Sequence, residues 1–139
     1  MEFSILFRIF VHKHQKQVMS EDKAIYENES AVEFCERTYP QTTEEFKKIL
    51  DEMYVTFCKK QRNYGPGNIS VGTPLETKDD IKLSLTGLWF RINDKVQRLK
   101  QLVVLGQPDE VGESIQDTYE DLSVYGVIAQ LVQRGKWAK

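Results

Sequence analysis

Acidic side chains recur along the last predicted helix of the chain, at Glu113, Asp117, Glu120 and Asp121. At about 100° per residue these four carboxylates fall within an arc of about 100°, beside the apolar stripe of that helix. Like charges spaced four residues apart on a helix repel each other, so a positive group must offset them. Magnesium binds a few carboxylates together with waters and phosphate oxygens. These four residues are therefore either candidate ligands of Mg²⁺ or partners of cationic side chains.

Basic side chains recur along the preceding predicted helix, where Arg91, Lys95 and Arg98 follow each other at steps of four and three. If the two helices pack antiparallel, this basic flank faces the acidic one. Two interpretations follow. Either the basic residues form interhelical salt bridges with Glu113 and the two aspartates, or they bind the phosphates of a nucleotide whose magnesium the carboxylates hold.

From Thr42 onward, apolar residues recur at steps of three and four, which predicts that helices position these charged residues. Thr42 and Glu45 form a potential capping box at the start of a helix that runs to about Arg62. Further apolar stripes predict helices over residues 77–105 and 109–133. We expect an all-α fold, an antiparallel bundle of three long helices with short N-terminal elements. The connection over residues 65–78 is long for a helical domain, so it is either a binding element or a purely structural connection.

The ends of the chain are less regular. Residues 1–19 form an N-terminal extension, either an over-long start before a natural Met19 or a strand or short amphipathic helix that needs a partner surface. Residues 20–139 form a single helical domain. Trp137 falls in a tail that we expect to be frayed and free to dock on a partner chain.

The composition limits the classes of function. The chain has 139 residues, of which 19 are Lys or Arg and 21 are Asp or Glu, giving a net charge of −2. This balance argues against a protein that binds duplex DNA, which needs a broad cationic surface. No segment approaches the roughly 20 apolar residues that span a bilayer, so we expect no membrane partner and a cytoplasmic location. Bundles of three helices often complete their core by forming dimers or higher homo-oligomers.

Three segments resemble a phage and bacterial helical family, the nucleotide-modification-associated domain that is the first of its series. They are Tyr-Gly at 64–65, Arg-Ile-x-x-Lys-x-x-Arg-Leu at 91–99, and Glu-x-x-x-Asp-Thr-x-x-Asp-Leu-x-x-Tyr at 113–125. The resemblance covers about residues 42–133. The family is similar to the MazG-type all-α nucleoside triphosphate pyrophosphohydrolases, which cleave between the α- and β-phosphates with Mg²⁺.

The resemblance implies roles for individual residues. Acidic side chains that bind metal or activate water would be Glu113, Asp117 and Asp121. Side chains that contact the nucleotide would be Lys95 and Arg98 at its phosphates, and Asn63 and Tyr64 at its other end.

The first long helix lacks the Glu-x-x-Glu motif of MazG proteins. The metal site is therefore completed across a dimer, or the fold binds nucleotides without cleaving them. The sequence thus predicts a phage-type nucleotide-binding protein, with magnesium-dependent hydrolysis as its candidate activity. The alternatives are a protein that sequesters a nucleotide against a host defence, and a helical interaction protein without a small ligand.

Overall fold

The computed structural model describes the backbone of residues 2–139, and the side chains of this range except those of residues 2–6, 22 and 24–27. Every regular element in this range is helical, which confirms the all-α prediction. The helices are α1 (Glu2–Asn28), α2 (Ala31–Thr38), α3 (Pro40–Tyr64), α4 (Gly67–Ser70), α5 (Lys78–Leu99) and α6 (Ile115–Gln133). A π-helical turn over Lys100–Val104 continues α5. None of the helices described is long and apolar enough to cross a bilayer.

The chain divides into two compact units, Met1–Ile49 and Leu50–Lys139. The boundary between these units falls within α3. The division predicted at residue 19 stays a prediction. In the first unit, α1 is a continuous helix of 27 residues that passes Met19 without a break. It is longer than the strand or short helix expected there. Arg37 and Glu29 form a two-point ion pair in the same unit, with N–O distances of 2.8 and 2.9 Å.

The start of α3 differs from the prediction. The helix begins at Pro40, two residues before the expected cap at Thr42. Proline suits the first helical position, because its φ angle is already fixed and no amide hydrogen is needed there. The hydroxyl of Thr43 instead donates to the carbonyls of Tyr39 and Pro40. Gly65, with φ of 65°, ends the helix in the left-handed conformation that favours glycine.

The second unit is built around α5 and α6, which pack antiparallel. Leu88, near the middle of α5, packs with Ile128 and Val132 near the end of α6, whereas Lys95 and Arg98 later in α5 contact α6 near its start. The short α4 adds Ile69 to this core. A buried hydrogen bond of 2.6 Å, from the hydroxyl of Ser84 to the carbonyl of Ile69, fastens α4 to α5.

Trp137 is not part of a frayed tail. It is 4% exposed and completes the core of its own unit. Its indole N–H donates to the carbonyl of Pro66 at 3.1 Å, and its ring meets Phe57 edge-on at 6.2 Å between centroids. The tail after α6 therefore closes against the turn between α3 and α4.

Candidate functional site

An ion-pair cluster joins α3, α5 and α6 in the second unit. The ammonium group of Lys95 lies 2.8 Å from Glu113 Oε1 and 3.0 Å from Asp121 Oδ2. The ammonium group of Lys60, on α3, lies 2.9 Å from the other oxygen of Asp121. Arg98 donates to the backbone carbonyl of Glu113 and lies 3.8 Å from its carboxylate. Each oxygen of the Asp121 carboxylate is thus paired with a different lysine.

The segment before α6 differs from the prediction. The helix begins at Ile115, with Ser114 accepting the amide hydrogen of Asp117, and not at residue 109. Residues 109–114 form a loop in which the Asp109 carboxylate accepts the amide hydrogen of Val111, and Gly112 has φ of 78°. Glu113 therefore lies outside the helix and reaches Lys95 from the loop.

The other predicted acidic residues lie apart from this cluster. Asp117 lies in the first turn of α6 and is exposed. Glu120 is half-buried and accepts a hydrogen bond of 3.2 Å from Gln116. Among the described residues, no three His, Cys, Asp or Glu side chains are grouped closely enough to hold a metal ion. Magnesium binding by these acidic residues stays a prediction.

The electrostatics of the cluster favour its charged form. Burial raises the pKa of Asp121, but the hydrogen bonds from Lys60 and Lys95 together outweigh it, so the net pKa lies below the ordinary value. The hydrogen bond to Glu113 raises the pKa of Lys95, and Asp121 adds to that effect. The hydrogen bond to Asp121 likewise raises the pKa of Lys60. Asp121 is therefore an anion at neutral pH and a weak proton acceptor.

A pocket of about 360 Å³ opens beside this cluster. Side chains from α3, α4, α5, α6 and the C-terminal tail line it, namely Phe57, Lys60, Gln61, Tyr64, Asn68, Ile69, Arg91, Asp121, Val124, Tyr125, Ile128 and Trp137. Arg91 crosses from α5 to α4, where its guanidinium donates to the carbonyl of Asn68 at 2.8 Å. The pocket thus combines three charged side chains with four aromatic rings.

The pocket contains some of the predicted site residues and not others. Arg91, Tyr64 and Asp121 line it. Lys95 does not line it but forms an ion pair with Asp121. Asn63 is exposed and is not among the lining residues. Arg98 contacts the hydroxyl of Thr118 and the Asp109 carboxylate instead of the pocket.

Sequence reasoning missed Lys60, Asn68, Tyr125 and Trp137. One signal was available, since Lys60 precedes Tyr64 by one helical turn and so shares a face of α3 with it. For Lys59, Lys60 and Arg62 together, the sequence favours interaction with the helix dipole over contact with a phosphate. Trp137 gave no such signal, because the contact it makes joins segments that are far apart in sequence.

Comparison with known proteins gave no match to this chain, whether among family models, curated proteins or solved structures. The resemblance to the nucleotide-modification-associated domain and to MazG proteins rests on the quoted motifs and remains a prediction.

Proposed function

We propose that this chain binds a nucleotide in the pocket between α3, α5 and α6, with the ligand's phosphates against Arg91 and Lys60. One observation carries the proposal. Within the part of the chain that the structure describes, no carboxylate lies within 4.0 Å of the Arg91 guanidinium in the pocket wall. Lys60 and Lys95, by contrast, are both paired with Asp121. Arg91 can therefore bind an anion without first breaking an ion pair. Guanidinium groups match phosphate geometry through paired N–H donors.

The size and lining of the pocket suit the rest of a nucleotide. Pockets for small ligands are typically about 300–1,000 Å³, so a volume of 360 Å³ fits a ligand near the small end of that range. The rings of Tyr64, Tyr125 and Trp137 offer surfaces for a base, since stacking of aromatic rings on bases tolerates any base. The amide groups of Gln61 and Asn68 can hydrogen-bond to its edges.

The cluster favours binding over cleavage. A water-activating base needs a free carboxylate oxygen and a pKa near the operating pH. Asp121 has an ammonium group on each oxygen and a lowered pKa. Among the predicted functions we therefore favour nucleotide binding or sequestration. Hydrolysis with Mg²⁺, carried in by the ligand's phosphates, remains the candidate that the family resemblance implies.

Fluorescence offers a direct test. The Trp89→Phe variant leaves Trp137, in the pocket wall, as the only tryptophan. We expect its emission to change on titration with members of a panel of ribo- and deoxynucleotides, with and without Mg²⁺. In that background Arg91→Gln should weaken binding roughly 10- to 100-fold, because a charge-assisted hydrogen bond is lost. The matched control is Arg62→Gln, an exposed arginine on α3 that does not line the pocket.

Product analysis on the same samples separates the candidate functions. Recovery of intact nucleotide supports a binding or sequestering protein, whereas release of pyrophosphate supports the hydrolase. A chain that binds none of the nucleotides, or one in which Arg91→Gln and Arg62→Gln bind equally well, would contradict the pocket assignment. The helical interaction protein without a small ligand would then be the better interpretation.

A further inference from the structure

The first part of α1 carries a charge opposite to that of the whole chain. From residue 3 to residue 20 the sequence contains Arg8, Lys13 and Lys16, two histidines, and no aspartate or glutamate. The net charge of the whole chain is −2. Residues 3–20 are therefore locally cationic, whereas Glu21, Asp22 and Glu27 follow them on the same helix. Every residue from 7 to 20 is exposed.

The same segment exposes six large apolar side chains, of which four share one face and two, Ile9 and Met19, lie outside it. Phe7 and Phe10 are each 69% exposed, and Val11 and Val18 are 38% and 42% exposed. At about 100° per residue these four side chains fall within an arc of about 100°. Arg8 and Lys13, the nearest cations, flank that arc on opposite sides by the same geometry. A helix with an apolar face between flanking cations is typical of helices that lie in a membrane interface.

We propose that this face of α1 docks on a bilayer that contains anionic phospholipid, with Phe7 and Phe10 towards the acyl chains and the cations at the headgroups. Charge complementarity selects this partner. Residues 3–20 contain three cations and no acidic residue, so an anionic surface complements them. The helix would lie on the bilayer, since none of the described helices can cross one.

This inference does not rest on the proposed nucleotide pocket, and it departs from the expectation of no membrane partner. That expectation came from the lack of a spanning segment. A helix at an interface needs no apolar run of spanning length, only an amphipathic face and complementary charge.

Vesicle co-sedimentation of the full chain tests the proposal. We expect binding to vesicles of phosphatidylcholine mixed with phosphatidylglycerol, and little binding to phosphatidylcholine alone. Binding should fall steeply near 1 M salt, where the screening length is about 3 Å. Replacing Arg8, Lys13 and Lys16 together by glutamine should weaken partitioning on the order of 100-fold, at about fivefold per cation.

Two further variants complete the design. The control, with Lys59, Lys82 and Arg134 replaced by glutamine, removes the same charge from exposed positions outside α1 and should bind like the wild type. Phe7→Ala and Phe10→Ala should each weaken binding about tenfold while keeping the helix, which circular dichroism verifies.

Several results would overturn the proposal. One is equal co-sedimentation with neutral and anionic vesicles, and another is an equal loss of vesicle binding in the α1 variant and the control variant. Absence of vesicle binding would do the same. If it were accompanied by an oligomer that the phenylalanine variants dissociate, a second copy would be the partner. If the α1 cations were instead needed to retain single-stranded RNA, the partner would be a nucleic acid.

Discussion

Replacing Asp121 by asparagine should destabilise the second unit far more than the same change at Asp117, four residues earlier on α6. Both substitutions remove one negative charge and preserve the size of the side chain. The Asp121 side chain is 17% exposed and contacts two ammonium groups at 2.9 and 3.0 Å. Asp117 is exposed, and its carboxylate makes no ion pair within 4.0 Å among the described residues. The pair therefore isolates the effect of the ion-pair cluster.

The structure sets the expected magnitude. The Lys60 side chain is 54% exposed, so its pair with Asp121 contributes only about 0.5 kcal/mol. The Lys95 side chain is 18% exposed, and a charge-assisted hydrogen bond in that setting contributes about 1.5 kcal/mol. The total of about 2 kcal/mol corresponds to a fall in Tm of about 10 °C for a unit of this size. Asp117→Asn loses only an interaction with the helix dipole, about 0.5 kcal/mol.

Differential scanning calorimetry at neutral pH and low salt measures both variants against the wild type. The reasoning is refuted if Asp121→Asn lowers Tm no more than Asp117→Asn does. It is also refuted if Asp121→Asn raises Tm. Burial of the carboxylate would then cost more free energy than its two ion pairs contribute. Circular dichroism checks that both variants keep their helix content.

Further predictions concern the core, the pH dependence and the assembly. Trp137→Ala should cost about 3–5 kcal/mol in urea unfolding, and a cost below about 1 kcal/mol would contradict docking of the tail. The pKa of Asp121 is lowered and that of Lys95 is raised, so the stabilisation from their ion pair should be present from about pH 4 to about pH 10. This stabilisation should decline below that range as Asp121 protonates, and above it as Lys95 deprotonates. Denaturation at pH 3 and 7 should show a smaller acid loss for Asp121→Asn than for the wild type. Ser84→Ala should lower the free energy of unfolding by about 1–2 kcal/mol, because it removes the hydrogen bond to the buried carbonyl of Ile69. Ser123→Ala removes a hydroxyl–carbonyl bond at an exposed site and should leave the stability nearly unchanged. Sedimentation velocity over a range of concentrations tests the predicted homo-oligomer.

The sequence was informative where periodicity decides the structure. The apolar stripes of α3, α5 and α6 predicted three long helices, because burial of one helical face imposes a spacing of three and four residues. The steps from Lys95 to Arg98 and from Glu113 to Asp121 suggested ion pairs between neighbouring segments, and the structure forms them for Lys95.

Periodicity failed where local backbone chemistry or distant contacts decide. The expected helix start at residue 109 was wrong, because the turn at Asp109 and the positive φ of Gly112 hold residues 109–114 in a loop. That loop moves Glu113 off the helical face that was expected to hold four carboxylates. The burial of Trp137 depends on a carbonyl 71 residues away, and no window along the sequence contains both partners.

That distant contact bears on how the second unit folds. Joining Trp137 to the Pro66 carbonyl closes a loop of 71 residues, at an entropic cost of about 4 kcal/mol. Helices form on a microsecond scale from local contacts, whereas closure over such a span comes late unless the segments between are already packed. We expect the tail to dock after α5 and α6 have paired. The pocket that Trp137 helps to line would then be among the last features of the molecule to take shape during synthesis.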